Sequence, residues 1–362
     1  MLSRLGFVQN LFKSESGALL GLDISTSSVK LVELSRSGDG YRVDACASEA
    51  LPAGAINDKQ IADPDAVGKA IQRAVARSGT GTRTAAVAVA GSSVITKIIN
   101  LPVSLSDDEM EEQIKVEADQ YIPYPIDEVN LDFQVLRALP NAPDTAEVLL
   151  AVCRRDTVEM RAAALETAGL KPKVVDIEAH ALQNACTLIE HQMPDGGKDK
   201  TIALIDIGST ATGVHILHDH ELVYSREQAF GGKQLTDEIA RHYGMSPEEA
   251  ERAKRGGGLP QDYETAVLAQ FLDDVAVQIE RSLQFFFSSM SRFSSIDQIL
   301  LAGGSAGITG IDQAVARKLN IPSAVAQPFE NMRTAWRVKR EQLEKDAPAM
   351  LIAAGLALRA FD

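Results

Sequence analysis

Positive charge, cysteine and long apolar runs are all scarce in this chain of 362 residues, and each shortage removes a class of function. Lys and Arg number 36 against 50 Asp and Glu, a net charge of −14 with a pI near 5.0. A general nucleic-acid or anionic-lipid binder needs net positive surface to displace counterions, so neither fits the chain as a whole, although a local basic patch stays open. Cys46, Cys153 and Cys186 leave an odd thiol and lack metal-ligand spacing, which removes a disulfide framework and a structural zinc site and favours a reducing cytoplasm. The opening MLSRLGFVQNLFKSESG lacks the unbroken apolar stretch and small-residue cleavage site of a signal peptide. Leu5, Val8 and Phe12 there fall at helical spacing, open to a short amphipathic helix or a frayed extension. The most apolar late segment, 347–358, is too short to cross a bilayer. The expectation is a cytoplasmic chain without direct membrane insertion. Its length, well beyond a typical domain of about 150 residues, requires two or more domains.

What is present begins with a repeat. Residues 19–29, LLGLDISTSSV, align with 202–212, IALIDIGSTAT, placing Asp23 and Asp206 183 residues apart. That offset is too long for a solenoid and marks two similar domains, each opening with a buried strand that ends in Asp and a Gly/Ser/Thr turn. Two strands follow each turn, around 37–40 in the first copy and 218–220 in the second. A helix comes next in each: 64–77, with Val67, Ala70, Ile71, Ala74 and Val75 on its apolar face, and 233–243, with Leu235 and Ile239.

Between the halves, 85–91 and 94–101 read as strands. Ser106, Asp107, Asp108 and Glu109 form a capping box. The helix after it carries Met110, Ile114, Ala118 and Tyr121 and is stopped by Pro123 and Pro125. Strands at 129–136 and 147–153 and a helix at 156–168 follow, so 84–154 reads as a small α+β insert. In the second half a helix opens at Ser246 and ends at Gly256, Gly257 and Gly258. A longer one carries Phe271, Val275, Ile279, Leu283 and Phe287, and the strand 298–302 runs into Gly303 and Gly304. Phe285, Phe286 and Phe287 read as core, not as a cofactor platform.

A strand ending in Asp and turning through small residues presents backbone N–H groups to an anion. The carboxylate beside it repels phosphate, yet it can hold a hydrated Mg²⁺ that bridges to phosphate oxygens. Two such turns would clamp a polyphosphate. Gly303, Gly304 and Ser305 let backbone approach a base or ribose closely, and Gly231, Gly232 and Lys233 open a helix with another glycine pair. Glu251 and Lys254, three apart on a helix, read either as nucleotide contacts or as a solvated ion pair of little worth.

In this order the elements resemble the actin-like ATPase superfamily: LDISTSS (22–28) and IDIGST (205–210) as phosphate motifs, LAGGSAG (301–307) as the adenosine motif, and 176–181 and 355–359 as hinge segments. EAERAK (249–254) resembles the adenosine-contacting helix of the chaperone branch. The insert is of the FtsA type. KVEADQYIPYP (115–125), GGKQLTDEI (231–239), SLQFFF (282–287) and AAGLALRAFD (353–362) resemble the PilM family of type IV pilus assembly. The resemblance implies an α/β, actin-like (ribonuclease-H-like) two-domain fold. Residues 17–83, 155–198 and 346–362 would form the first core, 84–154 the partner-binding insert, and 199–345 the second domain, with 231–295 its smaller, nucleotide-capping part.

The implied cofactor is ATP or ADP with Mg²⁺. Its contacts would be Asp23, Ser25, Thr26, Ser27, Ser28 and Lys30 in the first half. In the second they would be Asp206, Gly208, Ser209, Thr210, Gly231, Gly232, Lys233, Glu251, Lys254, Gly303, Gly304 and Ser305. Asp23 and Asp206 would hold the metal through water, and no catalytic residue is singled out. The implied partner is the cytoplasmic N-terminal peptide of the inner-membrane protein PilN, in a groove involving Gln113, Glu117, Gln120, Tyr121, Ile122, Pro123, Tyr124 and Pro125. Pilus motor ATPases, the platform protein and self-association are further partners the family admits. An FtsA-like filament protein and a sugar kinase are the competing readings. The kinase needs a separate base and a polar sugar pocket, and none of Asp23, Asp206, Asp176 and Glu178 stands out as that base. Arg359, Ala360, Phe361 and Asp362 follow directly on the second hinge segment, where FtsA has a linker and an amphipathic helix. Membrane attachment is therefore expected through a partner, at the inner membrane's cytoplasmic side.

Overall fold

In the computed structural model, which describes residues 17–118 and 121–362, the first half is laid down strand by strand. Leu5, Val8, Phe12 and Gln120 lie outside the described residues. Leu20–Ile24 (β1) and Ser28–Ser37 (β2) pair antiparallel, and Gly40–Ala50 (β3) continues the ladder. Pro64–Ser78 (α1) starts where the Asp63 carboxylate accepts a bond from the Ala66 N–H and stops at Gly79, whose φ of 68° suits a residue without Cβ. Thr84–Val89 (β4) runs parallel to β1.

Val94–Pro102 (β5), Asp107–Ala118 (α2), Val129–Leu139 (β6) and Ala142–Arg154 (β7) build the insert. Its three strands lie antiparallel in the order β5-β7-β6. One face buries Ile99, Leu101, Val148 and Leu150 against Met110 and Ile114 of α2. With a single covered face, β7 alternates, Ala146, Val148 and Leu150 being more buried than Glu147 and Leu149. The insert begins later than the expected residue 84, because β4 is held in the first sheet by parallel ladders on both sides. Arg155–Thr167 (α3), Lys171–Ile177 (β8) and Glu178–Ala185 (α4) follow. The first unit's own strands run β8-β4-β1-β2-β3.

Thr201–Ile207 (β9), Thr212–His218 (β10) and Glu221–Gln228 (β11) repeat the antiparallel opening. Gly232–Tyr243 (α5), Pro247–Gly256 (α6) and Ala269–Ser289 (α7) intervene before Gln298–Ala302 (β12), Ile311–Leu319 (α8) and Ser323–Val325 (β13). The order β11-β10-β9-β12-β13 matches the first unit: a central strand with two antiparallel neighbours on one side and two parallel ones on the other. Along α7, Phe286 is fully buried where the stripe of four-residue steps expected Phe287. At 100° per residue, sixteen residues carry Phe287 about 160° round from Phe271, whereas Phe286 returns to within about 60°.

The chain divides into two compact units, residues up to Ala181 with Ile352–Asp362, and Leu182–Leu351. It crosses between them inside α4 and at the head of Leu351–Leu358 (α10). Residues 182–198 and 346–351, expected with the first core, group with the second because their hydrogen bonds go there. The Gln183 amide donates to His220 O at 3.2 Å, Gln192 to Val325 O at 3.0 Å, and the Gly303 N–H to Pro348 O at 2.8 Å. Back in the first unit, α10 lies so close to β1 that a Cβ on Gly21 would stand 1.9 Å from the Ala353 carbonyl oxygen.

At the end of β8, Asp176 is 1% exposed, and Arg359 Nε approaches its Oδ2 at 3.5 Å while Nη1 bonds Asp362 at 3.0 Å. On β6, burial pushes the Asp132 carboxyl up to about 7, against the Phe133 N–H and Arg359, which pull it down; Asp176 and Glu111 push the same way as burial. Such a carboxyl stabilises the fold while protonated. Its contribution is complete below its ordinary value near 3.8 and is lost as pH rises through about 7. This contribution to thermal stability is therefore lost between about pH 4 and about pH 7, and Asp132→Asn removes that part of the pH dependence. An unchanged slope in thermal unfolding of the variant overturns this assignment.

Candidate functional site: two Asp-ended turns and an inserted partner module

The second unit's turn is built almost entirely from backbone. β9 delivers Asp206 and Ile207, and the Gly208 N–H closes the turn on Ala211 O at 2.9 Å. Two distant segments then dock on it. The N–H groups of Gly232 and Lys233 donate to Gly208 O and Ser209 O at 2.9 and 2.8 Å, and Ser305 donates to Ile207 O through its N–H and to Gly208 O through its hydroxyl, both at 3.0 Å. Contact this close excludes side chains. A Cβ on Gly231 would sit 2.6 Å from Ser209 O, and one on Gly303, whose φ is +90°, would sit 2.5 Å from both Asp206 Oδ1 and Ile207 O. Gly208, Ser209, Gly231, Gly232, Gly303 and Ser305, expected at the site from three separate motifs, are thus brought together around Asp206. Thr210 and Gly304 are exposed beside them.

Behind this turn, Lys254 of α6 reaches the N-terminus of α5. Its ammonium donates to Gly232 O at 3.0 Å, to the Thr236 hydroxyl at 2.7 Å and to Glu251 at 2.7 Å. Burial raises the Glu251 carboxyl, but the bonds from Lys254 and the Thr236 hydroxyl outweigh it and hold the group below its ordinary value. The pair is therefore not the solvated one that spacing alone permits. It is a strut holding α6 against α5. Thr236 completes the strut and was not singled out by its motif; its place one helical turn after Gly232 is the signal that finds it. Lys233, by contrast, is exposed and paired with Asp237 at 2.6 Å, away from the backbone cradle.

The first unit's turn differs in charge. Asp23 and Lys30 face each other across β1 and β2, both buried, with Nζ 2.7 Å from Asp23 Oδ2 and 3.0 Å from the Ser25 hydroxyl. The Ser25 N–H and hydroxyl both donate to Ser28 O, and Ser27 O accepts from the Leu51 N–H. Thr26 is half-buried at the tip. In the second unit the position opposite Asp206 is Gly213, which brings no charge. Sequence placed a water-bridged metal on both aspartates. In this structure the Asp23 carboxylate is instead committed to an ammonium, which offsets the negative charge that a metal would otherwise answer.

On the insert, Gln113 donates to Glu117 at 3.2 Å along α2, Tyr121 lies under the Lys97 ammonium at 3.1 Å, and Tyr124 lies 5.6 Å from the Arg154 guanidinium carbon. Pro123 and Pro125 are exposed between them. Ile122 is the exception. It is buried in the insert's core with Met110 and Ile114, so it anchors the YIPYP turn and is not open to a ligand. Among the described residues, eight of the ten exposed large apolar side chains fall on the insert between Ile98 and Leu136, with Val116 at 73%.

Residues 21–361 match the family described as type IV pilus assembly protein PilM. The chain belongs to that family. A solved structure, the PilM-PilN type IV pilus biogenesis complex, is similar to it at 29% identity with a TM-score of 0.79, covering 96% of this chain and 100% of that one. The ethanolamine utilization protein EutJ of Carboxydothermus hydrogenoformans shares the fold at 16% identity and a TM-score of 0.58, over 94% and 89% of the two chains. Cell division protein FtsA of Bacillus subtilis (strain 168) is 23% identical over 258 residues, which cover 65% of this chain and 57% of that protein. The chain thus spans little more than half the length of that curated relative. With the duplicated sheets, the fold is actin-like. Among the described residues no helix is long and apolar enough to cross a membrane.

The glycine cradle makes a sharp prediction. Gly303→Ala forces a Cβ onto two oxygens at positive φ and costs roughly 2 kcal/mol in urea unfolding. Gly304→Ala, with nothing within 4 Å of the new Cβ, stays within about 0.5 kcal/mol. Equal costs at the two positions overturn the close-approach account.

Proposed function

We propose that this chain is a nucleotide-binding scaffold of the type IV pilus inner-membrane complex that holds the cytoplasmic N-terminal peptide of PilN on its insert. The observation that carries the partner half is the concentration of exposed apolar and aromatic side chains on that module. A short extended peptide recognised through such a surface gains affinity from backbone pairing and specificity from side-chain pockets. The solved PilM-PilN complex, alike over almost the whole chain, supports the same partner. Through that peptide the chain sits at the cytoplasmic face of the inner membrane and relays to the pilus motor.

The nucleotide half rests on the second unit's cradle. ATP or ADP is the ligand assigned to it: the close glycine contacts hold the turn 208–211 in one shape after β9, and Asp206 stands beside it. Among the described residues no group of three or more His, Cys, Asp or Glu forms a ready-made metal cage. Mg²⁺ would therefore take most of its ligands from phosphate and water, with Asp206 acting through water. The first unit's turn, taken by itself, carries Ser25, Ser27, Ser28 and Lys30 as hydroxyl, backbone and ammonium groups of the kind an anion needs. The bound nucleotide braces the scaffold; no residue here is assigned as a catalytic base.

Linkage supplies the test. If nucleotide favours one shape of the peptide surface, Mg-ATP and a PilN-type peptide must each tighten the other by the same factor. Isothermal titration of the peptide with and without Mg-ATP is expected to differ several-fold, and identical affinities sink the coupling. Asp206→Asn is expected to abolish Mg-dependent ATP binding while leaving the unfolding midpoint in place. Full retention of ATP by that variant removes the second turn from the nucleotide site.

A further inference from the structure

The segment 333–340, RTAWRVKR, holds four basic residues and no acidic one in a chain of net charge −14. At its centre Trp336 is 96% exposed, the most exposed large apolar side chain among the described residues. An indole left in water is costly surface, and here it is left there by construction. Met332 and Val338 on either side are buried. The Met332 N–H donates to Phe329 O at 3.0 Å, the Val338 N–H to Ala335 O at 2.9 Å, and Arg340 to Glu330 O at 3.2 Å. The loop is pinned at both ends and lifts one ring clear of the protein, with Arg333, Arg337 and Lys339 exposed around it. Arg340 is already paired with Glu344 at 2.7 Å and is counted out.

We propose that this loop is a reversible contact for an anionic phospholipid surface, with Trp336 at headgroup depth and Arg333 and Lys339 on the lipid charges. Tryptophan belongs chemically at that depth, because its ring is apolar and its N–H is polar. A protein partner fits less well. A hot-spot tryptophan is ringed by contacts that exclude water, and here exposed Arg333, Arg337 and Lys339 lie within three residues of it. The negative charge of the rest of the chain does not cancel the attraction, since charges more than about 8 Å away are largely screened at physiological salt. Each basic side chain at an anionic surface strengthens binding by about fivefold. One ring and a few such charges make a weak, reversible anchor, effective chiefly when a tether already keeps the protein near the membrane. The contact does not depend on the nucleotide or peptide reading.

Trp336 is the chain's single tryptophan, so intrinsic emission reports on this loop alone. The full chain is mixed with vesicles of phosphatidylcholine, or of phosphatidylcholine with about one third phosphatidylglycerol. The expected result is a blue shift and co-sedimentation with the anionic vesicles only, both reversed by high salt. Trp336→Ala is expected to lower co-sedimentation on the order of tenfold, and the double variant Arg333→Glu, Lys339→Glu by more than about 25-fold, each with unchanged circular dichroism. Unaltered emission with anionic vesicles overturns the proposal, as does wild-type co-sedimentation by Trp336→Ala. A shift produced by polyglutamate but not by anionic vesicles assigns the loop to an acidic protein and equally overturns it.

Discussion

Backbone against backbone, with no side chain between, is the constraint on which the second unit's site depends. Gly208, Gly231, Gly232 and Gly303 come from three places in the chain, and each makes a contact at which a Cβ would lie well inside van der Waals distance of an oxygen or of a neighbouring turn. Contacts at such density leave no space for side chains and fix the backbone of the turn in one shape. The Lys254, Glu251 and Thr236 strut belongs to the same logic. It fixes the end of α5, whose first N–H groups are spent on Gly208 and Ser209, so that the cradle is held in shape before any ligand arrives.

The duplicated turns share a topology and differ in charge. Asp23 and Asp206 occupy the same place in matching sheets, yet one faces an ammonium and the other faces a glycine. An ion pair buried on both sides is costly unless its geometry is good, and the 2.7 Å contact with the added Ser25 bond meets that condition. Two halves that once repeated each other have thus taken unlike electrostatic roles. In the first, positive charge is built in. In the second, the cross-strand position brings none.

Much of this was legible in sequence, for reasons that can be named. The offset of Asp23 to Asp206 gave the duplication because a strand buried along its length and an Asp-ended turn survive divergence together. The capping boxes at Ser106 and Ser246 placed two helix starts because their bonds are local. What escaped was set by long-range pairing. Nothing local in 84–89 says that it lies between β1 and β8 and outside the insert. Nothing local in 182–198 says that its amides bond the second unit's strands. Spacing likewise could not tell a solvated Glu251 and Lys254 from a strut, because the partner that decides, Gly232 O, lies 22 residues away. Ile122 was misplaced for the same reason: its neighbours in sequence are exposed, and only the packed insert shows it pointing inward.

Inside the first unit, the insert is joined to the crossing segments by charge as well as by chain. Asp176 ends the strand that leads to the first crossing, Arg359 follows the helix that returns from the second, and Asp132 stands on the insert's edge strand. One guanidinium serves several carboxyls, and neither Asp176 Oδ2 nor Arg359 Nε makes a hydrogen bond of proper geometry. Packed aliphatic side chains would give more stability at such a place. Here the pair is held by charge, with no hydrogen bond between Asp176 Oδ2 and Arg359 Nε. Any movement of the crossing segments that shifts Arg359 then changes the field at Asp132, and any partner that moves β6 changes the field at Arg359. The cluster is therefore suited to make the insert's surface and the crossing segments sense each other, which a purely apolar contact, indifferent to charge, would not do.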